Sequence, residues 1–215
     1  RFLVDAHQGD IRRRDRVNWV EADKKFPQRR VFNVITAYET WMAQSDDPQQ
    51  YRDLAILRLT GLFDRPVTPD LLAVLCQEPE IPGLTEGLTQ LSETEWNQAL
   101  TDLEKLQLVT LQESRMDCQS VRGDSRSRSG GDGLGNPSDI PFTIDAHPLI
   151  REYFQLQLKT HEPEAYREAH SRLFEHLCEK TPHQPNDLPG LQPLYQALAH
   201  GCLAGRHQEA CDKVY

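Results

Sequence analysis

The chain has 215 residues, of which 38% are hydrophobic and 27% charged, so it can bury a core in one large or two small domains. Its formal net charge of −9 argues against broad DNA or RNA binding, because that affinity comes mainly from cations placed against phosphates. No apolar run approaches the roughly 18 residues of a membrane-spanning helix, and no signal-peptide pattern opens the chain. The first residue is not methionine, so we expect a piece of a longer protein.

Helical spacing of apolar residues dominates the first third of the chain. A charged helical stretch is predicted over about 10–25, and an amphipathic helix over 29–42. Residues 45–48, Ser-Asp-Asp-Pro, form a short linker and a candidate subdomain boundary. The next helix, about 49–62, is apolar on most faces, which is typical of a central, buried helix.

The middle of the chain predicts two further helices and then two strands. Thr68 caps a helix that has proline at its first position, and residues 92–95 form a capping box before the clearest helical pattern in the chain. Alternating strands follow at 106–111 and 141–145. Three helices, then two strands joined by a long tip, is the order of a winged helix. The tip at 113–139 has little to bury, and we expect it to be a flexible, solvated wing loop.

The last part of the chain is predicted to be a run of helices. One begins near Pro163, and two more, about 191–204 and 207–215, are separated by Gly205-Arg206. The cysteines, five in number, contain no C-x-x-C pair, which favours a reducing, cytoplasmic setting. Four residues that lie close together in this region suggest a zinc site: His200, Cys202, His207 and Cys211. However, Cys202 also falls on an apolar stripe, so a packed helical repeat is the preferred interpretation.

The most informative run is FTIDAHPLIREYF, at 142–154. An alternating strand over 142–146 leads directly into His147-Pro148, after which apolar residues follow helical spacing. Proline suits the first helical position, so His147 is predicted to be the N-cap at the positive end of a helix dipole. Such a position suits a group that meets phosphate, although a plain capping histidine is the simpler interpretation of the geometry.

The run from Ala146 to Arg151 resembles the methionine-histidine-aspartate motif of the STAND signalling ATPases, the P-loop family of plant resistance proteins, apoptotic adaptors and many bacterial defence proteins. In that family the motif lies in a winged-helix domain, and its histidine contacts the β-phosphate of bound ADP. The resemblance therefore implies that His147 binds ADP, together with a nucleotide-binding domain that this chain lacks. The family's aspartate is Pro148 here.

The resemblance extends over most of the chain. Residues 54–75, LAILRLTGLFDRPVTPDLLAVL, are similar to the winged-helix part of these ATPases, and residues 194–215 resemble the start of a tetratricopeptide-like array. It implies a mainly α fold with a helical subdomain at 1–45, a winged helix at 48–160 and the start of a repeat arm at 161–215.

Catalytic patterns are missing from the sequence. There is no G-x-x-x-x-G-K-[ST] phosphate loop, no G-x-S-x-G turn and no H-E-x-x-H, so we expect no catalytic residues, no metal and no cofactor in this chain itself. The implied parent protein would be a P-loop ATPase that uses ADP and ATP.

Two functions of different classes follow from these observations. The first is a regulatory and scaffolding segment that couples nucleotide state to a C-terminal sensor arm, as in bacterial defence signalling. Its partners would be the nucleotide-binding domain of its own chain and a protein trigger or further copies of itself, without a membrane. The second is a winged-helix transcriptional regulator. A DNA reader needs a cationic recognition helix, and TEWNQALTDLEKLQ has one lysine and several acids, which makes nucleic acid the weaker hypothesis.

Overall fold

Eight helices and one two-stranded sheet make up the part of the chain that the structure, a computed structural model, describes: residues 28–113, 142–182 and 188–214. This confirms the prediction of a mainly α fold with a small sheet. The predicted helix at 10–25 and nearly all of the predicted wing loop at 113–139 lie outside the described residues. In chain order the elements are α1 Gln28–Ala43, α2 Pro48–Thr60, α3 Pro69–Leu75, α4 Glu93–Lys105, β1 Val109–Glu113, β2 Phe142–Ala146, α5 Pro148–His161, α6 Pro163–Lys180, α7 Leu188–Leu203 and α8 His207–Val214.

Local chemistry explains where several helices begin. The Asp47 carboxylate accepts a hydrogen bond from the Gln49 N–H at 3.0 Å at the start of α2. At the start of α4, Ser92 and Glu95 form the predicted capping box, in which each side chain accepts from the backbone N–H of the other residue. Proline occupies one of the first two positions in α2, α3, α5 and α6, where its missing N–H costs no helical hydrogen bond.

The sheet brings together segments that are distant in sequence. β1 and β2 pair antiparallel, with Val109 opposite Ala146 and Leu111 opposite Ile144. The segment between α2 and α3 adds an antiparallel bridge, in which Val67 and Ile144 exchange backbone hydrogen bonds of 2.8 and 2.9 Å. The far edge of β2 is therefore tied to the α2–α3 connection.

Helix α2 lies at the centre of the core, as its apolar composition predicts. It packs against α1, α4 and α5, and Leu54, Ile56, Leu57 and Leu59 are all nearly inaccessible to solvent. One continuous apolar cluster runs from α1 to α8 and includes the largest buried side chains. The three predicted subdomains therefore share one core within the described residues.

A polar cluster joins α1 to α2 and α5. The Tyr153 hydroxyl on α5 donates to Glu39 of α1 at 2.6 Å, and the Arg58 guanidinium of α2 donates to the other oxygen of Glu39 at 3.0 Å. Phe32 also meets the Tyr153 ring edge-on at 5.5 Å. This satisfied cluster fixes how α5 is oriented beneath α1.

The last three helices pack tightly around small residues. A Cβ placed on Gly201 of α7 would lie only 2.6 Å from the Cβ of Ala210 on α8, so glycine is what lets the two helices approach. Arg206, in the turn between them, pairs with Glu209 of α8 and hydrogen-bonds Ser171 of α6 at 2.7 Å. The α7–α8 hairpin is thus joined to α6 by apolar and charged contacts together.

The apolar stripe predicted on α7 is partly wrong. Cys202 and Tyr195 are exposed, whereas Leu194 and Ala197 are buried. The buried face is rotated from the predicted one because Gly201, which has no side chain to mark it as apolar, is the residue in contact with α8.

Candidate functional site at the β2–α5 junction

His147 lies where β2 gives way to α5. It is the N-cap of α5, and its Nδ1 accepts a hydrogen bond from the Leu149 N–H at 3.2 Å, which confirms the predicted capping position. Pro148 occupies the first helical position, and the His147 side chain is exposed. The imidazole therefore lies at the positive end of a 14-residue helix with solvent on one side.

The cap also sets the tautomer of the imidazole. Since Nδ1 accepts a hydrogen bond from the backbone N–H of Leu149, the neutral ring carries its own proton on Nε2. That leaves an N–H donor on the opposite edge of the exposed ring. A donor at a helix N-terminus has the chemistry required to bind an anionic oxygen.

Arg151 adds a fixed positive charge one turn into the same helix. Its Nη2 donates to Asp145 of β2 at 2.9 Å, and its side chain is only 12% exposed. Within the described residues its Nε and Nη1 are buried without a hydrogen-bond partner. One carboxylate thus holds the guanidinium in place without satisfying all its donors. The spacing of four from His147 was the available sequence signal, because residues four apart share a helix face.

The four zinc candidates do not come together as a site. His200 is buried and its Nδ1 lies 2.8 Å from Nδ1 of His170, whereas Cys202 and Cys211 are exposed. In the described part of the chain, no group of three or more histidine, cysteine or acidic side chains could hold a metal ion. The pairing of His200 with His170 was not predicted from the sequence, since the two lie 30 residues apart.

Helix α4 offers little to a nucleic acid. Its exposed side chains include Glu93, Glu104 and Lys105, and Lys105 is itself paired with Asp102 at 2.9 Å. Acidic side chains on this surface would repel DNA phosphates. Binding to DNA requires cationic side chains, which displace the counterions of the phosphates. The geometry of α4 therefore weakens the DNA-binding hypothesis.

Comparisons with protein-family models, with curated proteins and with solved structures find no match. None of the helices in the described ranges has the length and apolar character to cross a membrane.

Proposed function

We propose that the chain is a regulatory and scaffolding segment of a STAND-type signalling ATPase, in which His147 binds the β-phosphate of ADP held by a separate nucleotide-binding domain. The observation that carries the proposal is the exposed imidazole at the N-cap of α5, with its Nδ1 on the Leu149 N–H. The Nε2–H then donates to a phosphate oxygen while the helix dipole favours the negative charge.

Arg151 supports an anion at this place. Its guanidinium is held by Asp145 within the first turn and a half of α5, so its charge adds to that of the helix terminus. The nucleotide would accept a hydrogen bond from His147, whereas Arg151 would attract it by its charge without direct contact. Pro148, which replaces the family's aspartate, contributes the fixed helix start instead.

The order of elements supports a winged-helix assignment for residues 48–160. Three helices precede the two strands, and Val67, between the first two of these helices, forms an isolated antiparallel bridge to β2, which supports this order of elements. In this proposal α6, α7 and α8 are the root of the sensor arm, and α5 connects them to His147.

The continuity between α5 and α6 supports the relay. Only Glu162 separates the two helices, and it is the cap residue of both. Arg172 of α6 also donates to the backbone carbonyls of Gln77 and Pro79, at 2.9 and 2.7 Å. A displacement of the arm would therefore be transmitted to both α5 and the α3–α4 connection.

The test is ADP retention by the full-length protein. We expect His147→Ala to speed ADP release by about ten- to a hundredfold, because a hydrogen bond to a charged group contributes roughly 1.5–3 kcal/mol. The variant should also signal without its trigger. Purified wild type and variant, loaded with labelled ADP, are compared by their dissociation rates after a chase with unlabelled nucleotide.

His147→Asn is the matched control. Asparagine is among the best N-caps but is too short to place a donor where the imidazole Nε2 lies, so it should release ADP as fast as the alanine variant. In the chain described here, His147→Ala should cost about 1 kcal/mol of unfolding free energy and His147→Asn close to none. Equal ADP dissociation rates in all three proteins would reduce His147 to a capping residue and remove the proposal.

A further inference from the structure

Two buried histidines face each other across the junction between α6 and α7. His170 of α6 is 0% exposed and His200 of α7 is 7% exposed. Their Nδ1 atoms are 2.8 Å apart and their rings stack with centroids 5.0 Å apart. A single hydrogen bond between imidazoles thus connects the α7–α8 hairpin to the helix beneath it.

This bond requires that one ring donates and the other accepts. In the neutral pair one Nδ1 carries a proton and the other does not. A first extra proton would place a charge in the interior, and a second would set two N–H groups against each other at 2.8 Å. The closed junction therefore excludes protons that a separated pair would take up freely.

The surroundings give a buried imidazolium little compensation. On α6 the neutral Tyr166 ring meets His170 edge-on at 4.3 Å, and Phe63, in the α2–α3 connection, meets His200 at 5.9 Å. Two charged neighbours, Asp64 and Arg65, act on His200 with opposite signs.

The pKa shifts of the two rings follow from this geometry. Burial, followed by the neighbouring His200, lowers the pKa of His170 to about 3. Burial lowers the pKa of His200 to about 4, with Asp64 opposing that shift and Arg65 adding to it. Within the described residues His170 Nε2 is also buried without a partner, so this imidazole gains nothing from a proton while the junction is closed.

We propose that the His170–His200 pair is an acid-sensitive latch, which holds the α7–α8 hairpin on α6 while both rings are neutral and releases it when they are protonated. The inference stands whether or not the chain belongs to a signalling ATPase. The sign follows from linkage: the released state binds more protons than the closed state below about pH 6.5, so release is favoured as pH falls. Arg206 also reaches across this junction, to Ser171, Glu175 and the Phe174 ring of α6, and its guanidinium stays charged throughout that range.

The expected size can be stated as a fold-change. An imidazole that has an ordinary pKa near 6.5 only in the released state raises the opening equilibrium constant about 25-fold between pH 7 and pH 5. Two freed imidazoles therefore raise the opening equilibrium of the hairpin by about 500-fold over those two pH units.

Hydrogen exchange of the 215-residue chain tests the latch. After correction for the intrinsic pH dependence of exchange, amides in α7 and α8 should lose protection by about 500-fold from pH 7 to pH 5, and they should remain less protected than amides in α2, which exchange only when the whole chain unfolds. His200→Gln, which keeps a hydrogen-bonding group but does not titrate, should reduce the effect to about 25-fold or below. His161→Gln is the matched control, since His161 is an exposed histidine on α5, and it should behave as wild type.

Two results would overturn the proposal. One is an unchanged pH effect in His200→Gln, and the other is equal protection of α2, α7 and α8 at pH 5, which would mean global unfolding rather than release of the hairpin. Should the glutamine variant fail to fold, the wild-type imidazoles decide the question by NMR titration. The latch requires that neither ring is protonated above pH 5 while α7 remains protected. Titration of either ring near pH 6.5 with α7 still protected contradicts it.

Discussion

Asp53 is a carboxylate in the interior, on the central helix α2. It is only 3% exposed, and within the described chain its Oδ1 is buried without a hydrogen-bond donor. Burial first, and then the charges of Asp102 and Asp47, raise its pKa to about 7, against a smaller opposing effect of Arg52. The folded protein therefore keeps a proton on Asp53 at pH values where the unfolded chain has lost it.

This shift makes Asp53 a source of instability at neutral and higher pH. Between about pH 4 and pH 7 the unfolded state binds fewer protons at this residue than the native state, so its contribution to the unfolding free energy falls as pH rises. Asp53→Asn removes the charge and supplies N–H donors one turn from Gln50, whose Oε1 is also buried without a partner.

We expect Asp53→Asn to stabilise the chain relative to wild type, by about 1–3 kcal/mol more at pH 8 than at pH 5. Denaturant unfolding of both proteins at the two pH values measures the difference. Asp46→Asn, at an exposed aspartate in the α1–α2 linker, changes the net charge equally and should show no such pH dependence. A gain from Asp53→Asn that is equal at the two pH values would show that the native carboxylate is ionised at both.

The sequence predicts individual residues well where the cause is local. His147 was predicted as a cap from the adjacent proline and the helical pattern that follows, all within a few residues. The burial of Asp53 depends on α4, about 50 residues further along the chain, and the pairing of His170 with His200 depends on how α7 folds back onto α6. Neither has a signal in the spacing of nearby residues.

At the scale of elements, α7 and α8 approach closely because Gly201 has no side chain. Besides Ala210, a Cβ at position 201 would lie 3.1 Å from the Phe174 ring of α6. Alanine has the higher helix propensity, by about 1 kcal/mol, so a helix considered alone would favour it at this position. The packing of three helices opposes that preference.

Gly201→Ala is expected to destabilise the chain by about 1–3 kcal/mol, since the added methyl group must displace α8 or Phe174. Ala210→Gly alone should cost about 1 kcal/mol through helix propensity. The double variant moves the methyl group from one helix to the other, and it should be more stable than the sum of the single effects predicts. Strict additivity in denaturant unfolding would show that the two residues are not in contact.

Helix positions were predicted within a few residues wherever apolar periodicity and a cap coincide, as for α1, α2 and α4. The start of α7 was placed too late, at about 191 instead of Leu188, because prolines suggested a break and Pro193 lies inside the helix. The bridge between Val67 and Ile144 was not predicted, since one pair of residues carries no period and its partners lie far apart in sequence. Periodic patterns in the sequence predict where helices and strands lie, whereas the contacts between these elements depend on how the core assembles.

For the molecule as a whole, the groups that could contact a nucleotide are few. The phosphate loop, which supplies most of the contacts to ATP in a P-loop protein, is missing from the sequence. His147 contributes one donor and Arg151 one charge, which is too little for a small ligand to overcome the entropy lost on binding. The net charge of −9 and the acidic outer face of α4 disfavour nucleic-acid binding, because negative charges repel the phosphates.

The isolated chain is therefore expected to bind neither ATP nor ADP with micromolar affinity, and to give no sequence-specific shift of duplex DNA at physiological salt. Calorimetric titration with each nucleotide and electrophoresis with a pool of random duplexes measure the two. The longer protein of the proposed function, which has a nucleotide-binding domain in the same chain, should bind ADP, and His147→Ala should weaken binding only in that longer protein. Micromolar ADP affinity in the chain alone would mean that the site is complete without a second domain. A specific DNA shift that falls steeply with salt would instead favour a transcriptional regulator, with a reading surface other than α4.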